Sequence, residues 1–158
     1  MPIRNAEPHE LDRLASLWHC GWQDAHARIL PAGLARHRTL QSFRQRLQEH
    51  VADVRVAGEP GTPTGFAMLA HDELYQLYVD AGARGSGVAA ELLADAEAQL
   101  ARRGTTTAWL ACAIGNERAA RFYAKHGWQH AGTMVSRLPT PEGEFALEVW
   151  RYEKALQR

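Results

Sequence analysis

The chain has 158 residues, 46% apolar and 23% charged, enough for one domain that buries a core without disulfides or a metal. Eighteen basic and eighteen acidic residues cancel, so the basic excess of a nucleic-acid binder is missing, and no apolar run approaches the roughly 20 residues that span a bilayer. Cys20 and Cys112 lie far apart and form no CxxC pair, none of the eight histidines falls in an HExxH segment, and no basic-then-apolar leader is apparent; this fits a cytoplasmic protein with buried reduced thiols and no metal centre.

Ile3 to Ala6 has room for a short first strand. Glu7-Pro8-His9-Glu10 opens a helix, proline being tolerated in a first turn, and Leu11, Leu14, Ala15, Leu17, Trp18 and Trp22 continue it at helical spacing. Pro31 and Gly33 interrupt the pattern. A second helix is predicted over Leu34 to His50, with Leu40, Phe43 and Leu47 on one face. The basic residues Arg36, Arg38, Arg44 and Arg46 read as its solvated side, with an anionic-substrate site as the alternative. Val51 to Ala57 and Thr64 to Ala70 read as the two strands of a hairpin around the Gly58 to Pro63 turn, and Glu73 to Val79 as the next strand.

The segment that follows, Asp80-Ala-Gly-Ala-Arg-Gly-Ser-Gly87, is a glycine-rich turn that opens directly into a helix running to about Arg103. Val88, Leu92, Leu93, Ala96 and Leu100 form its apolar stripe, and Gly104 is the stop. Thr105 to Ala113 reads as a buried strand. Asn116 caps another helix, through Tyr123 to His126, which Gly127 ends so that Trp128 can fold back on it. Two closing strands, Gln129 to Arg137 and Glu144 to Tyr152, flank a turn at Pro139 to Gly143. The order β-α-α-β-β-β-α-β-α-β-β predicts a single α/β domain over residues 1–158, with a mixed sheet of about seven strands flanked by about four helices.

A strand, a glycine-rich turn and a helix N-terminus together make an anion cradle, because free backbone N–H groups converge where the helix dipole is positive. The turn lacks the Gly-Lys-Ser/Thr of a Walker loop and does not match GxGxxG, and no acidic residue stands at a strand end about 20 residues later to hold a ribose. It does match Arg/Gln-x-x-Gly-x-Gly/Ala through Arg84, Gly87 and Ala89. With Asn116-Glu-Arg-Ala-Ala-Arg-Phe-Tyr-Ala-Lys-His-Gly-Trp128 downstream, in register, the chain resembles the GCN5-related N-acetyltransferases, the GNAT superfamily.

The resemblance implies acetyl-CoA-dependent acetylation of a primary amine by direct transfer in a ternary complex, without a metal. It assigns the pyrophosphate to Arg84, Gly85, Ser86, Gly87, Val88 and Ala89, the pantetheine arm to the backbone of Leu77, Tyr78 and Val79, and further cofactor contacts to Asn116 and Ala120. Tyr123 shares a helix face with Asn116 and Ala120, and would give a proton to the departing thiolate; Ala119, Phe122 and His126 are assigned to the core. Glu73 is the first candidate for the base that takes the amine proton, with His71 or a water chain as alternatives. Trp22, His26 and Ile29 belong to the region that lines the acceptor pocket in the family, Leu30 following Ile29 in the same loop. The acceptor, a small molecule or a peptide, is not specified, and a homodimer is compatible with the family. A non-catalytic acyl-CoA-binding module is the alternative reading.

Overall fold

The computed structural model describes residues 2–156, so the predicted span 1–158 reaches onto Met1, Gln157 and Arg158, which lie outside the described residues. Seven strands form one sheet: β1 Arg4–Asn5, β2 Val54–Ala57, β3 Gly65–Ala70, β4 Glu73–Val79, β5 Thr107–Ala113, β6 Gln129–Thr140 and β7 Gly143–Ala155, in the order β1-β2-β3-β4-β5-β7-β6. The sheet is mixed, as expected: β4 and β5 pair in parallel and every other neighbouring pair is antiparallel. The helices are α1 Leu11–His26, α2 Ala32–Ala35, α3 Leu40–Glu49, α4 Val88–Arg102 and α5 Glu117–Lys125. No helix among the described residues is long and apolar enough to cross a membrane.

The helix expected over Leu34 to His50 is two helices, α2 and α3. Thr39 sits between them in extended conformation and accepts the Ser42 N–H at 3.1 Å, so its side chain starts a new helix instead of continuing the old one. The first half of the strand expected over Val51 to Ala57 is a 3-10 turn, Val51–Asp53. The closing hairpin is longer than expected. Pro139 lies within β6, where its missing N–H is tolerated because β6 is an edge strand, and Gly143 takes the turn at φ +106°. Cys112 is buried as expected, but Cys20 is exposed.

Two apolar layers flank the sheet. α4 and α5 cover one built around Leu69, Leu92, Leu93, Leu100, Leu110 and Trp128. α1 and α3 cover the other, built around Leu14, Trp18, Phe43, Leu47, Phe66 and Met68. Each fully buried leucine, Leu92 or Leu100 among them, contributes about 2 kcal/mol of transfer free energy. A β-bulge opposite Met68/Leu69 sets the phase of β4. It puts Leu74, Leu77 and Val79 on the α4 side and Tyr75 and Tyr78 on the α1 side, which strict alternation would not do.

The chain start is tied down by a buried carboxylate. Glu10 is 1% exposed; Arg4 donates to its two oxygens at 2.8 and 2.7 Å, and the N–H groups of Glu7 and Gly61 donate at 3.0 Å each. The Arg4 hydrogen bond outweighs burial and holds the Glu10 carboxyl down to about 2. A depressed carboxyl stabilises the fold above its unfolded value near 4.5 and loses that contribution as pH falls toward 2. Thermal melts of Glu10→Gln should therefore lie below those of the wild type at pH 7 and converge with them toward pH 2.

Candidate active site

β4 and β5 share a single bridge, Glu73 opposite Trp109, supported by the Trp109 N–H donating to the Asp72 carbonyl at 3.2 Å. Beyond it the strands pair no further, and a cleft of about 360 Å³ opens between them. On the other edge of β4 the Asp80 N–H donates to the Thr64 carbonyl at 2.8 Å. Antiparallel alternation then directs the backbone of Tyr78 to β3, and that of Leu77 and Val79 into the cleft. All three residues line the cleft, but only Leu77 and Val79 present it with free backbone groups. Tyr78 contributes its ring, stacked on Phe66 at 6.0 Å; a Cβ at Gly21 would come within 2.5 Å of that ring, so α1 needs a glycine there.

The glycine-rich turn stands where β4 ends. Gly85 and Gly87 have φ of +82° and +89°, a region that disfavours side chains, and a Cβ built on either would meet nothing within 4 Å. Gly87 is the N-cap of α4, and the first intrahelical bond is Glu91 N–H to the Gly87 carbonyl at 3.1 Å. The N–H groups of Val88, Ala89 and Ala90 precede any intrahelical acceptor. Open space, a helix N-terminus and glycines that permit close approach suit a pyrophosphate. Ser86 departs from expectation: its N–H and hydroxyl both donate to the Ala83 carbonyl, so it closes the turn and its N–H is not available as a donor. Arg84 pairs with Asp24 of α1 at 3.0 Å and lines the cleft.

On α5, the Asn116 side chain accepts the Ala119 N–H at 3.3 Å, and the Trp128 N–H folds back to the Tyr123 carbonyl at 3.0 Å. Tyr123 lines the cleft, and its hydroxyl makes no hydrogen bond among the described residues. Burial holds its phenol well above the ordinary value, so it stays protonated at neutral pH. Ala120, expected to face the cofactor, is buried in the core. Ala119 and Phe122, assigned to the core, pack against it and line the cleft as well. The two sets lie about 100° apart on the helix, and which of them faces inward depends on how α5 is rotated against the sheet.

The cleft continues past the bridge to the α1 side. Glu73 is half-buried there, and desolvation, partly countered by Arg151, pushes its carboxyl up to about 7. His71 is exposed in the β3–β4 turn and does not line the cleft. Trp22 and His26 line it from α1; the His26 Nδ1 is 3.5 Å from the Tyr78 hydroxyl, and burial pulls the imidazole down to about 4, leaving it neutral. Ile29 is exposed and rests against Gly115; its neighbour Leu30 takes the lining position. Arg38, Arg46 and Tyr75 line the cleft too. The basic run in the sequence allows an anionic-substrate site, but nothing local separates the inward Arg38 and Arg46 from the outward Arg36 and Arg44.

The family model described as the acetyltransferase (GNAT) family matches residues 13–128, which holds both the glycine-rich turn and α5. The chain belongs to this family. An uncharacterized N-acetyltransferase of Mycobacterium bovis is 37% identical over 102 residues, 59% of this chain and 65% of its own length, so the chain spans about 65% of the curated relatives it matches. The crystal structure of a GCN5-related N-acetyltransferase from Rhodopseudomonas palustris superposes with a TM-score of 0.76 at 20% identity, over 98% of this chain and 95% of the other. The PaiA N-acetyltransferase of Thermoplasma acidophilum, solved in complex with coenzyme A, gives a TM-score of 0.69 at 19% identity, over 98% of each chain. These likenesses show the shared GNAT fold: a mixed, open seven-stranded sheet with helices on its faces.

Proposed function

We propose that the protein is an acetyl-CoA-dependent N-acetyltransferase that passes an acetyl group directly to a primary amine. One observation carries this reading: a single cleft runs from Arg84 and Ala89, which flank the glycine turn at the start of α4, along the open edge of β4 to Glu73 and Tyr123. Coenzyme A, which the Thermoplasma neighbour binds, would set its pyrophosphate at the glycine turn, and its acetylated form, acetyl-CoA, would supply the acetyl group from the thioester.

In this reading the N–H groups of Val88 and Ala89 hold phosphate oxygens, and the backbone of Leu77 and Val79 pairs with the amide-bearing arm. The Val79 N–H stands ready to donate to the carbonyl oxygen as charge develops there. Glu73, near 7, takes a proton from the amine at neutral pH. Tyr123 gives one to the departing sulfur and recovers it from solvent. Direct transfer is favoured over an acetylated cysteine because burial pushes the Cys112 thiol up to about 11, leaving almost no thiolate to attack a thioester. Most of the rate would come from holding amine and thioester together.

Tyr123→Phe tests the acid. Turnover, followed as free thiol released from acetyl-CoA, should fall about tenfold to a hundredfold, with coenzyme A affinity by calorimetry within about twofold of the wild type. Unchanged turnover under conditions where chemistry limits the rate removes Tyr123 from the mechanism. Tight coenzyme A binding with no thiol release against any amine would instead favour the non-catalytic module.

A further inference from the structure

The basic residues of the α2–α3 region divide into two pairs. Arg36 and Arg44 are surface ion pairs, with Glu142 at 2.9 Å and Asp12 at 2.6 Å. Arg38 and Arg46 turn inward and line the acceptor side of the cleft. Arg38 is 5% exposed, and its one hydrogen bond is from Nη1 to the Pro139 carbonyl at 3.1 Å. Arg46 lies over the Trp18 ring at 4.5 Å and donates from Nη2 to the Tyr75 hydroxyl at 2.9 Å. Neither forms an ion pair with a carboxylate among the described residues. Their partners are a carbonyl, a phenol and an aromatic face, none of which carries negative charge.

Two guanidiniums close enough to repel each other in one cleft, neither paired with a carboxylate among the described residues, are costly, because each has lost part of its hydration. Burial and the neighbouring Arg46 pull Arg38 down to about 10, which still leaves it cationic at neutral pH. An anion in the cleft would supply the missing charge, and the planar fork of arginine matches a carboxylate or phosphate with two parallel hydrogen bonds. Glu73 is the one acidic side chain lining the cleft among the described residues, and the cation that influences it is Arg151, not Arg38 or Arg46. The base and the arginine pair are therefore separate stations along one wall.

We infer that the acceptor is an amine that also carries an anionic group, a carboxylate or a phosphate ester, held by Arg38 and Arg46 while the amine lies toward Glu73. The inference rests on the acetyltransferase reading and narrows it. Cationic acceptors such as polyamines and aminoglycosides would bring positive charge against two unneutralised guanidiniums. The Trp18, Trp22, Tyr75 and Leu138 walls add an apolar surface for a side chain on the acceptor.

The test is a matched panel: free α-amino acids and their carboxamides, phosphoethanolamine and ethanolamine, and spermidine. Each is measured for thiol release from acetyl-CoA and, independently of turnover, for binding to the coenzyme A complex by calorimetry. The best amino acid or the phosphate ester should exceed its uncharged counterpart by about 100-fold in kcat/KM and in affinity. Arg38→Gln and Arg46→Gln should each cut that preference below about tenfold and leave coenzyme A affinity unchanged; Arg46, half-buried, serves if the Arg38 variant does not fold. The carboxylate and phosphate arms identify which anion is used. A panel in which no anionic amine outperforms its neutral or cationic counterpart, in binding or in turnover, overturns the inference. Failure to bind coenzyme A at all would instead overturn the acetyltransferase reading.

Discussion

Glu73→Gln should lower acetyl transfer at pH 8 by at least about a hundredfold, the usual contribution of a positioned general base, without weakening coenzyme A binding. The pH profile should explain why. In the proposed mechanism Glu73 works only when ionised, and burial places its carboxyl near 7. In the wild type, kcat should therefore rise with pH through about 7 and level off above it. Glu73→Gln should lose this limb along with the rate. A second readout runs the opposite way. A carboxyl raised on folding favours the fold while protonated, and that advantage is lost as pH rises from its unfolded value near 4.5 through 7. The glutamine variant, which cannot ionise, should melt above the wild type at pH 8 and match it near pH 5. Lower activity with higher stability at the same pH is the signature of a base kept in an unfavourable place for its function. An acid limb that survives in Glu73→Gln would move the base elsewhere, to a water chain or the amine itself.

Gly87→Glu should abolish measurable coenzyme A binding, a loss of at least about a hundredfold by calorimetry. Gly87 has φ +89° at the N-cap of α4, and its added Cβ would enter open space in front of the helix. That space is where the N–H groups of Val88 and Ala89 converge. A carboxylate placed there would take those donors for itself and repel a pyrophosphate. The fold should survive, because the new side chain meets no protein atom. The left-handed backbone costs about 1 kcal/mol for a non-glycine residue, so circular dichroism should be unchanged and the melting temperature only slightly lower. Gly87→Ala separates the two causes: it carries the same backbone cost without the charge, and should weaken binding far less. Wild-type affinity in Gly87→Glu would place the cofactor's phosphates away from this turn.

Much of the site was legible because it depends on local chemistry. A glycine with positive φ, a helix N-terminus after a strand, and an Asn cap three residues before the N–H it accepts are all properties of short segments, and the structure has them at Gly87, Val88 and Asn116. The element order followed for the same reason. The misplacements have a different cause. Ala120 is buried in the core, while Ala119 touches both core and cleft, because the rotation of α5 is set by what it packs against. Ser86 is spent on Ala83, a contact two turns of backbone decide together. Ile29 looks like a lining residue by position, yet the chain turns it onto Gly115 and sends Leu30 inward.

The arginines show the limit most clearly. Arg36, Arg38, Arg44 and Arg46 form one basic run in the sequence, and a solvated face is the simplest account of it. The break at Thr39 turns Arg38 away from the axis of α3, and the long β6–β7 hairpin, folding over from the far edge of the sheet, offers it the Pro139 carbonyl and closes the wall. The sequence by itself determined the family, the order of the elements and the glycine turn that opens α4, because backbone conformation and helix termini are encoded within a few residues. Only the tertiary structure decided which side chains line the α1 side of the cleft. That depends on the β4 bulge, the rotation of α5 and the reach of the hairpin, all of them set by packing between segments distant in sequence.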